Sequence, residues 1–544
     1  MTMISNPILP GFNPDPSILR VGEDYYIATS TFEWFPGVQI HHSKDLVNWR
    51  LLTYPLTRIS QVNMEGNINS GGVWAPCLSY SDGTFYLIYT DVKSRQGAFK
   101  DTHNYLITAK DIMGPWSEPI YLNSSGFDPS LFHDEDGSKW LVNMLWDHRK
   151  GKNKFAGIVI QEFSIEEQKL IGPVRKIFKG TELKLTEGPH LYKANGYYYL
   201  MTAEGGTEYN HAVTMARSKT LFGPYEVDPQ NPILTSSRSP ELELQKAGHA
   251  SLVETHTGEW YLAHLCGRPV KDKYCNLGRE TAIQRCCWTE DSWLRIEGGG
   301  REPLVEVKAP DIEPYPFEAV PEKDDFEHTE LNIHWSTLRL PADPTWLSLT
   351  ERRGYLRLKG RESMSSLHKQ SMVARRQQSF YCEAETEVEF DPEHFQQMAG
   401  LILYYDSEDY VYLYISRDEN LGKYLGIIQS KGGQYDELLE RNISIDGAEC
   451  CKLKAVIERE WLQFFYSLHE DEWHKIGTPI DISHLSDEGS DYIRFTGTFI
   501  GMCVQDLSGT KKHADFDYFI YKENDKDHKE AAGAGVAKAV LGDL

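Results

Sequence analysis

Three acidic residues stand out by type and setting: Asp15 in Asn13-Pro14-Asp15-Pro16-Ser17, Asp128 in Phe127-Asp128-Pro129-Ser130, and Glu187 in Thr186-Glu187-Gly188-Pro189. Each opens a short apolar run just ahead of a proline. One at a time they read as turn residues, because Asp before Pro and Glu before Gly are ordinary turn chemistry. As a set they read differently. Carboxyl groups gathered at one place raise each other's pKa, a cost that folding alone gives no reason to bear. Hydrolysis of a glycosidic bond uses such a set. A protonated carboxylic acid delivers a proton to the leaving oxygen, while an ionised carboxylate activates water or attacks the sugar.

Side chains this far apart in the chain meet only if the fold repeats. A phrase made of a polar turn, a short apolar strand, a Gly/Asp turn and an aromatic strand recurs through the first 270 residues. Its five copies run from Asp15-Pro16-Ser17-Ile18-Leu19 to Tyr25-Tyr26-Ile27, and from Trp74-Ala75-Pro76-Cys77-Leu78 to Phe85-Tyr86-Leu87. The third and fourth run from Asp128-Pro129-Ser130-Leu131-Phe132 to Trp140-Leu141-Val142, and from Glu187-Gly188-Pro189-His190-Leu191 to Tyr197-Tyr198-Tyr199. The fifth runs from His249-Ala250-Ser251-Leu252-Val253 to Trp260-Tyr261-Leu262. Successive starts lie 59, 54, 59 and 62 residues apart, enough for a hairpin, two further strands and their loops. Secondary phrases recur as well, such as Ala109-Lys110-Asp111 with Gly114-Pro115-Trp116 and Ser218-Lys219-Thr220 with Gly223-Pro224-Tyr225. Regular return of one four-strand unit is the signature of propeller blades. Five copies predict an all-β fold that begins with a five-bladed β-propeller over residues 1–308.

In a propeller the innermost strands of all blades border one channel, so equivalent positions converge. Alignment on Pro16, Pro76, Pro129 and Pro189 gives one column of Asp15, Ala75, Asp128 and Gly188. The column before it holds Trp74, Glu187 and His249. A slip of one residue would reverse a strand side chain, yet both columns fall at the channel mouth. Three carboxyl groups, a Trp and a His are expected to meet there.

Beyond about Gly300 the phrase stops. Residues 309–323 carry four prolines among acids and read as a linker. From 324 to 522 alternating strands return at other spacings, as in Leu401-Ile402-Leu403-Tyr404-Tyr405 and Leu453-Lys454-Ala455-Val456-Ile457, which predicts a β-sandwich. The Ala/Gly-rich end, 523–544, is expected to be a flexible tail. A net charge of −24 argues against nucleic acid or an anionic membrane as partner and leaves a neutral ligand unaffected. Nine cysteines lack a zinc spacing and are read as reduced. Met1 to Gly11 shows no basic region followed by an apolar one, and no run approaches the ~18 apolar residues of a membrane span; a cytoplasmic location is expected.

The segments around the three acids, together with Trp74-Ala75-Pro76 and Leu277-Gly278-Arg279-Glu280-Thr281-Ala282, resemble glycoside hydrolase family 43. The likeness is greatest to its two-domain β-xylosidases. It reaches nearly the whole chain, since Phe495-Thr496-Gly497-Thr498-Phe499 and His513-Ala514-Asp515-Phe516-Asp517-Tyr518 resemble their second domain. The resemblance implies an inverting, exo-acting β-1,4-xylosidase that releases xylose from xylobiose and short xylo-oligosaccharides. In it Asp15 is the general base, Glu187 the general acid, and Asp128 the group that raises and orients Glu187. It further implies that Arg279 binds substrate hydroxyls, that Phe32, Trp74 and Trp146 wall the sugar, that His249 faces the channel, and that Phe499 of the second domain closes the pocket. Relatives are often tetrameric, so a homo-oligomer, tetramer or dimer, is expected. No cofactor is required; a calcium ion in the channel is compatible with the sequence but not demanded by it, and no metal ligands are assigned.

Three other readings compete. An α-L-arabinofuranosidase, or an enzyme with both activities, would need the same acids. A fructan hydrolase is disfavoured because Asn13-Pro14-Asp15-Pro16 lacks its Asn-Asp step and no Arg-Asp-Pro triplet occurs. A silent carbohydrate-binding protein would have no need to keep all three acids.

Overall fold

The computed structural model describes residues 2–469 and 472–524. Among these the chain is all-β save for one short 3-10 turn, Asp487–Gly489. The first part is a ring of five sheets, each built from consecutive strands with the earliest innermost. The first blade comprises Ser17–Val21, Asp24–Thr29, Gln39–Ser43 and Arg50–Thr53. The inner strands of the others are Gly72–Ser81, Ser130–His133, Glu187–Ala194 and Gln245–Glu254. Each expected copy of the phrase therefore supplies the inner hairpin of one blade.

Among the described residues no strand is shared between the first and last blades. Instead Met3–Ser5 pairs with Glu306–Lys308 in a separate two-stranded ribbon, and Ser251 of the fifth blade reaches across the seam. Its hydroxyl donates to the Pro16 carbonyl (2.7 Å) and accepts from the Ile18 amide (2.9 Å). The equivalent Ser17 accepts from the Leu78 amide (3.0 Å), and Ser130 donates to the Pro189 carbonyl (2.6 Å). The serine at one place in the phrase thus ties inner strands of neighbouring blades and satisfies backbone groups that no ladder reaches.

Residues 309–322 cross to the second domain without strand structure. There a seven-stranded and an eight-stranded antiparallel sheet face each other around a core that includes Leu356, Leu403, Leu413, Leu453, Phe464 and Phe516. Alternation follows the expected period of two in Tyr381–Glu389 and Cys450–Glu458. It vanishes in Gln397–Tyr404, where every residue is buried. The outer face of that sheet is covered by the propeller: Tyr404, Tyr410, Tyr412 and Tyr414 share a cluster with Phe12, Phe32 and Trp34. The last strand, His513–Glu523, runs one residue into the expected tail; 525–544 lie outside the described residues. None of the nine cysteines is in a disulfide; Cys286 and Cys451 are buried while their neighbours Cys287 and Cys450 are more exposed.

A short ladder and a ring stack join the domains. Thr337–Leu338 of the second pairs with Trp34–Phe35 of the first, and the Trp34 ring stacks on Phe499 at 3.6 Å. Within the second domain Arg494, fully buried, meets Asp409 at 2.5 Å and Asp406 at 3.4 Å and donates to the Ser486 and His484 carbonyls. Its removal would strand two buried carboxylates without a counter-charge. Arg494→Leu is expected to lose on the order of 3–5 kcal/mol of stability, measured by urea denaturation; a midpoint like that of the wild type would contradict the assignment.

Candidate active site

The five blades carry one local distortion in common. Asp15, Ala75, Asp128, Gly188 and His249 all have positive φ, at 56°, 26°, 54°, 56° and 46°. All occupy the residue two before the Ser17, Cys77, Ser130, His190 and Ser251 positions of the inner strands. Ladder register breaks there in the second, fourth and fifth blades, between Trp74 and Cys77, Glu187 and His190, and Gly248 and Ala250. A bulge at a left-handed residue turns the strand, so adjacent side chains no longer fall on opposite faces. That is how Glu187, one residue earlier in its repeat than Asp15 and Asp128, joins them in one cavity. The register also corrects the expected columns: His249 belongs with Asp15 and Asp128, and the neighbour of Glu187 and Trp74 is Phe127. The alignment lacked a proline in the fifth copy to anchor it. Asp and His tolerate this backbone better than most residues. At Gly188 a side chain would be crowded as well as strained, because a Cβ would lie 3.1 Å from the His249 imidazole at a φ of 56°.

The cavity holds about 350 Å³ and is lined by Asp15, Asp128, Glu187, Phe32, Trp74, Trp146, His249 and Arg279, with Arg95, Lys100, Phe127, Phe155, Leu185, Thr207, Ile493 and Phe495. Such a volume lies in the roughly 300–1,000 Å³ range of small-molecule clefts. Asp15 and Asp128 are 5% and 7% exposed; Glu187 is more open to the cavity.

Asp15 is held by three groups. Ser30 donates to Oδ2 at 2.7 Å, the Arg279 guanidinium to Oδ1 at 3.2 Å, and the His249 Nδ1 lies 3.5 Å from Oδ1. Burial disfavours its charge, but Arg279, His249 and the Ser30 hydroxyl outweigh that and hold its pKa below the usual carboxylate value. Glu187 goes the other way. Burial, reinforced by the charges of Asp128 and Asp15, pushes its carboxyl well above the usual range, against a smaller pull from Arg279. Asp128, whose Oδ2 accepts from the Gly188 amide at 3.1 Å, is raised by burial to about 6. One cavity therefore contains an acid poised to be ionised and an acid poised to keep its proton, the separation that acid–base catalysis requires.

Arg279 is fixed from both domains. It donates to Thr207 Oγ1 at 3.0 Å and to the Phe495 carbonyl at 3.2 Å, lies 5.4 Å and 5.2 Å from the Phe32 and Phe495 rings, and has Asp487 Oδ2 at 3.9 Å. Asp487 in turn accepts from Tyr405 (2.6 Å) and faces the buried Lys246, which also pairs with Glu488. Gly278 lets the second domain approach so closely; a Cβ there would lie 2.4 Å from the Thr496 carbonyl.

Trp74 and Trp146 bond their indole N–H groups to the Ser70 and Ala98 carbonyls, which leaves apolar faces for the cavity. Phe32 lines the wall while 2% exposed. Phe499 does not close the pocket: it is fully buried beneath Trp34, and Phe495, four residues earlier, takes that place. The two phenylalanines flank one motif, and pattern alone does not say which points outward. Phe127 was legible as the partner of Trp74 in the repeat; Arg95 and Lys100 sit in a loop without periodicity. His190, His211 and His249 gather behind the acids, with burial pushing the first two down to about 3. A calcium ion takes about 6–8 oxygen ligands, which these imidazoles do not offer, and no group of three or more His, Cys, Asp or Glu suited to a metal occurs among the described residues.

Residues 4–294 match the family model for glycosyl hydrolases family 43, and residues 323–522 that for the beta xylosidase C-terminal concanavalin A-like domain. The chain is 57% identical to the beta-xylosidase of Bacillus subtilis, over 96% of this chain and 99% of that protein. It is 50% identical to the xylosidase/arabinosidase 43B of Humicola insolens, over 96% and 98%. The crystal structure of the xylan beta-1,4-xylosidase from Bacillus halodurans C-125 superposes with a TM-score of 0.95 at 66% identity, covering 96% of this chain and all of that one.

Since the Asp128 charge raises Glu187, Asp128→Asn is expected to lower the Glu187 pKa. Carboxyl ¹³C NMR titration would register the change, and an unmoved Glu187 would refute the electrostatic link.

Proposed function

The chain belongs to glycosyl hydrolases family 43, and from this we propose that it is an exo-acting, inverting β-1,4-xylosidase releasing xylose from the non-reducing end of xylobiose and short xylo-oligosaccharides. The carrying observation is the opposite displacement of two carboxyl groups in one sugar-sized cavity, Asp15 downward and Glu187 upward. The names of the similar proteins support the substrate class.

In this reading Asp15, kept ionised by Arg279 and His249, takes a proton from the attacking water. Glu187, kept protonated by burial and by Asp128, hands its proton to the departing glycosidic oxygen. Both transfers occur in one displacement, so the anomeric configuration inverts. Arg279 both neutralises Asp15 and offers donors to a sugar hydroxyl. Trp74, Trp146, Phe32 and Phe495 present apolar surface to the ring. Ile493 and Phe495 of the second domain line one side of the cavity, which supports entry of a chain end rather than mid-chain binding. The name of the Humicola relative favours a second activity on α-L-arabinofuranosides, whose hydroxyls the same residues would meet.

Two measurements test the reading. Proton NMR of xylobiose hydrolysis should show α-xylose first; β-xylose first would exclude inversion, and no xylose would exclude the substrate. Glu187→Gln should lower kcat/KM on xylobiose by roughly 10²–10⁴-fold, and survival of full activity would remove Glu187 from the acid role.

A further inference from the structure

Three of the rings that wall the cavity touch one another. Phe32 lies 6.0 Å from Trp74 and 5.6 Å from Phe495, and Trp74 lies 5.3 Å from Phe495. The first two belong to the propeller and the third to the second domain. Apolar contact is non-directional, so the spacing of rings on two domains is set by what anchors them. Phe32 is anchored to the strand Gly72–Ser81, exchanging two backbone bonds of 3.0 Å with Val73. Trp74 and Phe495 are both tied to one residue, Ser70.

Ser70 is fully buried, two residues ahead of that strand, and does not line the cavity. Its polar groups serve three different neighbours. The carbonyl accepts from the Trp74 indole at 3.0 Å, and Oγ accepts from the Phe495 amide at 3.1 Å. Its own amide donates to both carboxylate oxygens of the buried Glu33, each at 3.1 Å. Its φ of 57° is a conformation that a residue other than glycine keeps only where its surroundings hold it.

The residues before it are held from both domains. Arg95 donates to the Asn69 carbonyl at 3.2 and 3.3 Å and to the Ile493 carbonyl at 3.0 Å, and lies 5.1 Å from the Phe495 ring. Arg339 of the second domain donates to the Asn67 carbonyl at 2.8 Å and to Asn69 Oδ1 at 3.1 Å. Asn69 Nδ2 donates to Ser407 Oγ at 2.9 Å. Segment 67–70 is thus the joint at which the second domain meets the aromatic wall.

We propose that Ser70 is a positioning residue for sugar binding: its hydroxyl fixes Phe495 of the second domain against Trp74 of the first, so that the wall is assembled before the sugar arrives. This rests on the reading that these rings face the sugar. Ser70 acts through them and touches no substrate. Without its hydroxyl the Phe495 amide has no acceptor there, and part of the binding energy goes into ordering the wall. The acids are left alone, because Arg279 keeps its bonds to Asp15 and Thr207.

Ser70→Ala and Ser70→Gly both remove the hydroxyl but differ in backbone strain, which alanine keeps at this φ and glycine relieves. In both, hydrogen exchange of the full chain should be faster at the Phe495 amide. KM should rise about three- to tenfold, with kcat and its pH profile unmoved. KM is read on xylobiose, or on 4-nitrophenyl α-L-arabinofuranoside if the wild type cleaves that alone, and the exchange measurement needs no substrate. Failure of the xylosidase reading is thereby distinct from failure of this one. Exchange or KM like that of the wild type would overturn the proposal. So would a KM rise confined to one variant, which would assign the effect to the backbone, and a fall in kcat at unchanged KM, the mark of a merely structural loss. Ser70→Gly suffices should the alanine variant fail to fold.

Discussion

The contact between Arg279 and Asp15 sets Asp15 apart from the two other carboxyl groups of the cavity, which burial pushes upward. Three carboxyl groups in so dry a space cannot all be charged, since each ionisation raises the pKa of the rest. The guanidinium 3.2 Å from Asp15 decides which of them ionises first. Once Asp15 carries the charge, Asp128 and Glu187 are driven toward the protonated form, and the acid and the base acquire different identities. The arrangement is asymmetric because only one of the three has a cation in direct contact. Lys246, Asp487 and Glu488 extend the same logic outward, pairing buried charges so that Arg279 stays oriented without being consumed by a single strong partner.

Backbone geometry is the second requirement. A regular inner strand would send Glu187 and Gly188 to opposite faces, and likewise Phe127 and Asp128. The left-handed residue in every blade removes that restriction, at a cost of order 1–3 kcal/mol for each non-glycine example. The distortion recurs in blades that contribute no acid, as at Ala75. It therefore belongs to the way inner strands enter the channel, and the acids of the cavity occupy a bend that the architecture already makes.

Much of this was legible in the chain. The returning phrase identified five blades because each unit needs the same turn, apolar and aromatic residues to build the same hairpin. The three acids stood out for the same reason. What escaped was whatever depended on a neighbour distant in sequence. His249 was misaligned by one residue because the fifth copy has no proline where the others do. Phe495 and Phe499 were interchanged because both flank one Thr-Gly-Thr segment, and only the propeller surface decides which is covered. Tyr404 and Tyr412 look like an exposed aromatic face of a sandwich until the first domain is laid on it. Arg95, Lys100 and Asp487 act through position alone, on loops or a single turn, where periodicity carries no information.

The seam of the ring has a temporal meaning. Blades made of strands close in sequence can each complete their own ladder as soon as their residues are available, so no blade takes a strand from later in the chain. The seam joins Ser5 to Glu306, 301 residues on, and Asp15 meets Arg279 across 264. A growing polypeptide would thus carry Asp15 through most of synthesis with no Arg279 beside it. Competence would arrive in a single late event, when the fifth blade shuts the circle and the second domain lays Phe495 across the opening. Partly made chains would be silent by construction.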